Sequence, residues 1–357
     1  MKKILFVVEA MGGGVFTYIV ELANELVNFY DIYIAYATRT QTPENYKDYF
    51  DKRIHLIKVE SFVRSIDCKN DFKAFFEIKK IANEIQPDII HLHSSKAGAL
   101  GRIAFGSRKV PVFYTPHGYS FLMEDTSPIK RKIYRAIERL CGKTGCTVIS
   151  CSEGEHKETL SLTSKAVYVN NGINIKKLEN LIKQCDIENG HDFTVFTLGR
   201  ICYQKNPELF NKIATALPNI KFVWIGDGDM KDKLTSPNIE VTGWVNRQDA
   251  LRYALNANAF ILTSLWEGLP ISLLEAMYMK KICIVSNVIG NRDVIHSGVN
   301  GFVCDNIGDY ITAIEESREE KCNQYIEKAY SDILNIYNTK KMSESYRLIY
   351  EQEIREK

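Results

Sequence analysis

Two clusters in the second half of the chain carry residue types suited to gripping a phosphate ester and the sugar attached to it. Gly199-Arg200 follows the apolar run at 193–198, and Lys205-Asn206-Pro207 comes next. A loop there, with a helix starting near Pro207, can aim a guanidinium, an ammonium and helix-end amides at one anion, as a diphosphate requires. The same spacing also suits an Arg and a Lys on a solvated turn. The second cluster is Trp266-Glu267-Gly268-Leu269-Pro270-Ile271-Ser272-Leu273-Leu274-Glu275. Pro270 reads as an early helical residue and Gly268 permits close backbone approach, so Glu267 falls on a loop and Glu275 on the helix, the two roughly two turns apart. Glu275 can accept hydrogen bonds from vicinal hydroxyls while helix-end amides meet a phosphate or sugar oxygen. Two solvated or capping glutamates are the alternative.

Residues placed this way need strands that end just before them. In the first half, apolar runs at 4–8, 32–37, 54–59, 88–93, 112–115 and 147–150 read as strands. Between them lie helical patterns, the clearest at 15–29, where Val15, Ile19, Leu22, Leu26 and Phe29 repeat at helical spacing. A second series, at 193–198, 220–225, 239–242, 259–262 and 282–285, follows a polar, Lys- and Asn-rich stretch that runs from Asn170-Asn171-Gly172 to about His191. Strand-helix alternation implies right-handed crossovers and parallel sheets. The expected fold is α/β, with two Rossmann-like doubly wound domains facing a central cleft, one at 1–175 and one at 190–335. A helix at about 340–357 is expected to pack back on the first domain. Ligands of open α/β sheets bind at the carboxyl ends of the strands, so loops after strands are where chemistry is expected.

Composition narrows the function classes. A chain of 357 residues with 45% apolar and 25% charged residues has material for two cores. A net charge of +2, from 46 Lys and Arg against 44 Asp and Glu, disfavours nucleic acid as a partner. Nine scattered cysteines, odd in number and without a Cys-x-x-Cys pair, read as reduced thiols. No window approaches the roughly 20 continuous apolar residues of a membrane span. A soluble cytoplasmic protein is expected, with any membrane contact peripheral.

Several signals compete. Gly12-Gly13-Gly14 lacks the Gly-x-Gly-x-x-Gly spacing of a dinucleotide site, so a dehydrogenase is disfavoured. Asp227-Gly228-Asp229 imitates an Asp-x-Asp metal motif, yet a turn after a strand explains it more simply. His91-Leu92-His93 puts two imidazoles on one strand face without a nearby Cys, Asp or Glu cluster, which suggests a structural His91 and an acceptor-side His93. At 129–139, Ile129, Ile133 and Ile137 form a stripe flanked by five cations. Such a helix either rests on an anionic membrane surface or covers a sheet with a solvated basic face outward.

Taken in order along the chain, Gly12-Gly13-Gly14, Thr115-Pro116-His117-Gly118, Val169-Asn170-Asn171-Gly172-Ile173, Gly199-Arg200 with Lys205-Asn206-Pro207, Gly226-Asp227-Gly228, Thr242-Gly243-Trp244 and Glu267 through Glu275 resemble the GT-B glycosyltransferases of family 4, a group of retaining enzymes. The resemblance implies that Arg200 and Lys205 grip a donor diphosphate and that Glu275 holds the ribose hydroxyls. Glu267 and the Gly268-Leu269-Pro270 backbone would hold the transferred sugar, with Gly199, Gly226 and Trp244 also at the donor. Gly13 and Gly14 would complete the phosphate site, and His117 would lie near the sugar. It also implies no cofactor and no metal, a nucleotide diphosphate sugar as donor, and a lipid-linked saccharide as acceptor. A non-hydrolysing sugar-nucleotide 2-epimerase and a silent sugar-nucleotide-binding subunit are the other readings.

Overall fold

The structure, a computed structural model, describes residues 1–39, 42–63, 67–106, 109–186 and 192–355. His191, where the sequence reading ends its linker, lies outside the described residues. The chain divides into two units, one formed by Met1–Leu122, Thr126–Asn171 and Thr339–Lys357, the other by Met123–Asp125 and Gly172–Asn338. Among the described residues, no helix is long and apolar enough to cross a membrane.

The first unit runs β1 (Lys3–Met11), α1 (Gly13–Leu26), β2 (Asp31–Thr38), β3 (His55–Lys58), α2 (Cys68–Ile85), β4 (Ile89–His93), α3 (Ser95–Phe105), β5 (Val112–Thr115), α4 (Pro128–Cys141), β6 (Thr147–Ser150), α5 (Glu153–Leu160) and β7 (Ala166–Tyr168). Its sheet has the order β3-β2-β1-β4-β5-β6-β7, every pair parallel. Every residue of β4 is buried, as expected of a central parallel strand covered on both faces. Helix α1 covers one face with Phe16, Ile19, Leu22, Ala23 and Leu26. It stops earlier than its apolar periodicity suggests. The Leu26 carbonyl accepts from both Phe29 N and Tyr30 N, which turns the chain so that Tyr30 enters the core and Phe29 is left exposed.

The second unit runs α6 (Ile175–Ile182), β8 (Thr194–Leu198), α7 (Pro207–Ala216), β9 (Lys221–Ile225), β10 (Ile239–Val241), α8 (Arg247–Leu255), β11 (Ala259–Leu262), α9 (Ile271–Tyr278), β12 (Ile282–Ser286), β13 (Phe302–Cys304), α10 (Ile307–Glu316) and α11 (Cys322–Asn335). The stretch that reads as loose linker thus contains a helix, α6, whose Leu178 is buried. The sheet order is β10-β9-β8-β11-β12-β13, again parallel throughout. The last helix, α12 (Thr339–Arg355), belongs to the first unit, where Met342, Tyr346 and Tyr350 enter the core beside Phe6, Tyr18 and Ile19.

Both sheets reverse their direction of growth once. In the first unit this occurs between β1 and β4, in the second between β8 and β11. Adjacent crossovers there leave on opposite faces, opening a crevice at the carboxyl ends of the two strands.

Candidate functional site

In the second unit, the loops after β8 and β11 flank the reversal point, and hydrogen bonds to backbone carbonyls lace them together. Leu265 N donates to Gln204 O (2.8 Å), Gln204 Nε2 to Trp266 O (2.9 Å), and Thr263 Oγ1 to Lys205 O (2.7 Å). On the other side, Gly199 N donates to Ile225 O (3.0 Å) and Ile201 N to Asp227 O (2.9 Å), tying the β8 loop to the turn after β9. A Cβ on Gly226, whose φ is +140°, would lie 2.2 Å from Gly199 O, and one on Gly228 would lie 2.1 Å from Ile201 O. The glycines of this turn are therefore dictated by close backbone approach. Asn206, at φ +50°, caps α7 through its side chain to Leu209 N, with Pro207 as the first helical residue.

This lacing fixes the charged side chains. Lys205 Nζ meets Glu267 Oε1 at 2.6 Å, with both side chains mostly buried. Arg200 Nη2 meets Asp229 Oδ2 at 2.5 Å. Glu275, buried on α9, pairs with the guanidinium of Arg247, the first residue of α8. Each expected cation and carboxylate of the site is thus held against an opposite charge of the same unit. Asp227 accepts from Gly228 N within its own turn, 2.8 Å away. Pro270 departs from expectation. It is the N-cap of α9, with ψ of 123°, and its carbonyl accepts from Leu273 N and Leu274 N. Leu269 and Pro270 are both buried, so they would offer a ligand backbone atoms rather than side chains. The Gly268 carbonyl lies where a Cβ on Gly290, at φ +84°, would come within 2.3 Å. Trp244 is 66% exposed on the turn after β10, which the Gly226–Gly243 bridge brings beside Gly226.

In the first unit, α1 opens with Gly13 at φ +55° and with Gly13 and Gly14 exposed. Gly12 supplies no side-chain cap and the first turn holds no acidic residue, leaving the amide end of the helix electropositive. His91 and His93 are both fully buried. His91 hydrogen-bonds Tyr350 Oη (2.6 Å) and Thr115 Oγ1 (2.8 Å), a structural arrangement as expected. His93 corrects the reading of an acceptor-side residue. Because β4 is covered on both faces, alternation puts it in the core, where its Nδ1 lies 3.1 Å from His117 Nε2. The other nitrogen of His117 lies 3.6 Å from Cys151 Sγ, so both ring nitrogens point inward. Burial pushes the His117 pKa down to about 3, keeping the ring neutral. Its backbone sits at φ +58°, rare for a residue with a side chain. Glu155, unremarked in the sequence, holds that turn, accepting from Gly118 N and Cys151 N at 2.7 Å each.

Residues 12–177 match the model of Glycosyltransferase Family 4, and residues 179–332 match that of Glycosyl transferases group 1. The chain belongs to glycosyltransferase family 4. This glycosyltransferase is 29% identical over 337 residues, 85% of each chain, to an Escherichia coli UDP-Gal:alpha-D-GlcNAc-diphosphoundecaprenol alpha-1,3-galactosyltransferase. Among solved structures, sucrose-phosphate synthase from Thermosynechococcus elongatus superposes with a TM-score of 0.83 at 14% identity over 99% of both chains. Anabaena HepE, in complex with UDP and glucose, gives 0.76 at 15% identity over 99% of this chain and 100% of its own. At those identities the likeness concerns the fold, which is GT-B with two Rossmann-like domains.

Proposed function

We propose that this glycosyltransferase moves a hexosyl or N-acetylhexosaminyl group, with retention and without a metal, from a UDP-sugar to a lipid-diphosphate-linked saccharide during surface-polysaccharide assembly at the cytoplasmic face of a membrane. The E. coli relative, named for a UDP-Gal donor and a diphosphoundecaprenol-linked acceptor, supports both substrate classes. HepE, bound to UDP and glucose, supports the donor.

The observation that carries the reading is the Lys205–Glu267 pair beside the sheet reversal, on loops that also bear Arg200 and lead into the helix of Glu275. Breaking the anomeric bond leaves positive character on the sugar and negative charge on the departing diphosphate. Cations fixed beforehand at the phosphates therefore favour the transition state over the bound substrate. Arg200 and Lys205 fill that role by exchanging Asp229 and Glu267 for phosphate oxygens. Glu267, freed of its lysine, faces the sugar, and Glu275 takes the ribose hydroxyls. His117, neutral and tied at both ring nitrogens, shapes its turn instead of removing a proton. The acceptor proton passes to a leaving phosphate oxygen. Asp227 and Asp229 serve the turn and Arg200, and charge neutralisation at the diphosphate falls to the fixed cations.

Donor hydrolysis and transfer by the Arg200→Ala and Lys205→Ala variants test the assignment. Each is expected to lose about 10²- to 10³-fold in turnover, the size of removing one preorganised electrostatic donor. Turnover in EDTA should equal that in magnesium. Wild-type turnover in both variants would overturn the phosphate role.

A further inference from the structure

Helix α4 turns its isoleucine stripe to solvent instead of to the sheet. Ile129 is 72% exposed, Ile133 51%, Ile137 39% and Leu140 65%, and Ala136 is exposed between them. At 100° per residue these five side chains fall within an arc of roughly 100°, one continuous apolar stripe turned to solvent. The inward side of the helix packs Tyr134 against the core, buries Cys141 and holds a polar anchor. Glu138 accepts from Arg102 Nη2 (2.6 Å) and from Tyr114 Oη (3.0 Å), while Arg131 Nε donates to Phe121 O (2.9 Å). The guanidinium of Arg102 also stacks 4.1 Å from the Tyr114 ring centroid. A buried ion pair anchors α4, and the isoleucines that read as sheet-facing in one interpretation of the sequence face outward.

Isolated surface aliphatics are ordinary, whereas a contiguous stripe bordered by charge marks a surface that something covers. The border selects the partner. Lys130 and Lys132 project to either side of the stripe, and among the described residues neither meets a carboxylate in an ion pair. Arg135 and Arg139 lie further round, where Arg135 reaches Glu158 at 3.7 Å. The acidic residue of the helix, Glu138, is turned inward. A second copy of this chain packed about a two-fold axis would bring these cationic borders together, which disfavours self-association through α4.

We propose that α4 is a membrane-docking helix, its isoleucine stripe inserted among the acyl chains at the surface of an anionic bilayer and its lysines on the headgroup phosphates. This deepens the proposed action on a lipid-linked acceptor but shares no residue with the donor site, so either can fail without the other. Insertion differs from electrostatic adsorption, because part of the binding survives salt.

Flotation of the full chain with vesicles of phosphatidylcholine, and of phosphatidylcholine with phosphatidylglycerol in equal parts, at 0.1 and 0.5 M NaCl, tests this. The wild type should float with the anionic vesicles, weaken in high salt and remain detectably bound. Lys130→Glu with Lys132→Glu should weaken binding at low salt by well over an order of magnitude, since each cation near an anionic surface is worth about fivefold. Ile133→Ser with Ile137→Ser should abolish the salt-resistant fraction. Circular dichroism melting and donor hydrolysis of both variants should match the wild type, since the altered side chains are exposed. No flotation of the wild type, or unchanged flotation of the isoleucine variant, overturns the proposal. So does a concentration-dependent dimer in sedimentation, lost in the isoleucine variant, without vesicle binding.

Discussion

His91, His93 and His117 sit one against the next with ring centroids 4.0 and 5.3 Å apart, in surroundings that disfavour a charged imidazole. Burial lowers the pKa of all three, and charge on a neighbouring ring lowers His91 and His93 further. In the unfolded chain each takes a proton near the usual value of about 6.5, whereas the native rings stay neutral until far lower pH. The unfolded state therefore binds more protons through the window from about 6.5 down to about 3, and native stability falls as pH falls through it. Wild-type melting temperature should drop on acidification from pH 6.5 to 4.5, and His93→Gln should show a shallower drop. Parallel melting curves for the two proteins would mean that these rings take no part. Partners of this kind are illegible locally. Asp229 lies 29 residues from Arg200, Arg247 28 from Glu275 and Glu155 37 from Gly118, and no short periodicity links them.

Elements were legible in proportion to their apolar run. Strands such as β5 and β11 match their sequence runs, because a buried parallel strand is a short uninterrupted apolar stretch. The three-residue strands β7 and β13 do not stand out in the sequence: Ala-Val-Tyr and Phe-Val-Cys are apolar but too short to alternate, whereas β10, equally short, shows the alternation Ile-Glu-Val. Helix α4 reads as amphipathic in the sequence, but which side faces out depends on Arg102 and Tyr114, which lie on other elements. The glycines at strand ends belong to this scale as well. Gly226→Ala would drive a methyl into the Gly199 carbonyl at a φ that side chains rarely adopt. Overpacking of this kind typically costs about 1–3 kcal/mol, and here the obstacle is backbone, which cannot rotate away. The variant should melt lower and lose UDP binding in titration calorimetry, because the loop that must move is the one carrying Arg200. Melting and UDP affinity equal to wild type would show that the turn yields freely.

At the scale of the molecule, the chain completes its first unit only with its last helix. After α11 the backbone leaves the second unit at Asn338, and α12 returns Met342, Tyr346 and Tyr350 to a core otherwise built from residues before 170. Tyr346 and Tyr350 are fully buried, and Tyr350 holds His91 at 2.6 Å. Deleting one large core side chain costs about 3–5 kcal/mol, and whole domains are stable by only about 5–15 kcal/mol. Removing residues 339–357 should therefore forfeit most of the stability of the first unit while leaving α6 through α11 intact. The expectation is regional. By hydrogen exchange, amides of β1 and β4 in a chain ending at Asn338 should lose protection by orders of magnitude, while those of β8 and β11 stay protected. The milder Tyr346→Ala in the full chain should show the same regional bias at smaller amplitude. Equal loss in both sheets would mean that the two units unfold as one, and unchanged protection of β4 would mean that the tyrosines of α12 only decorate a core already stable without them.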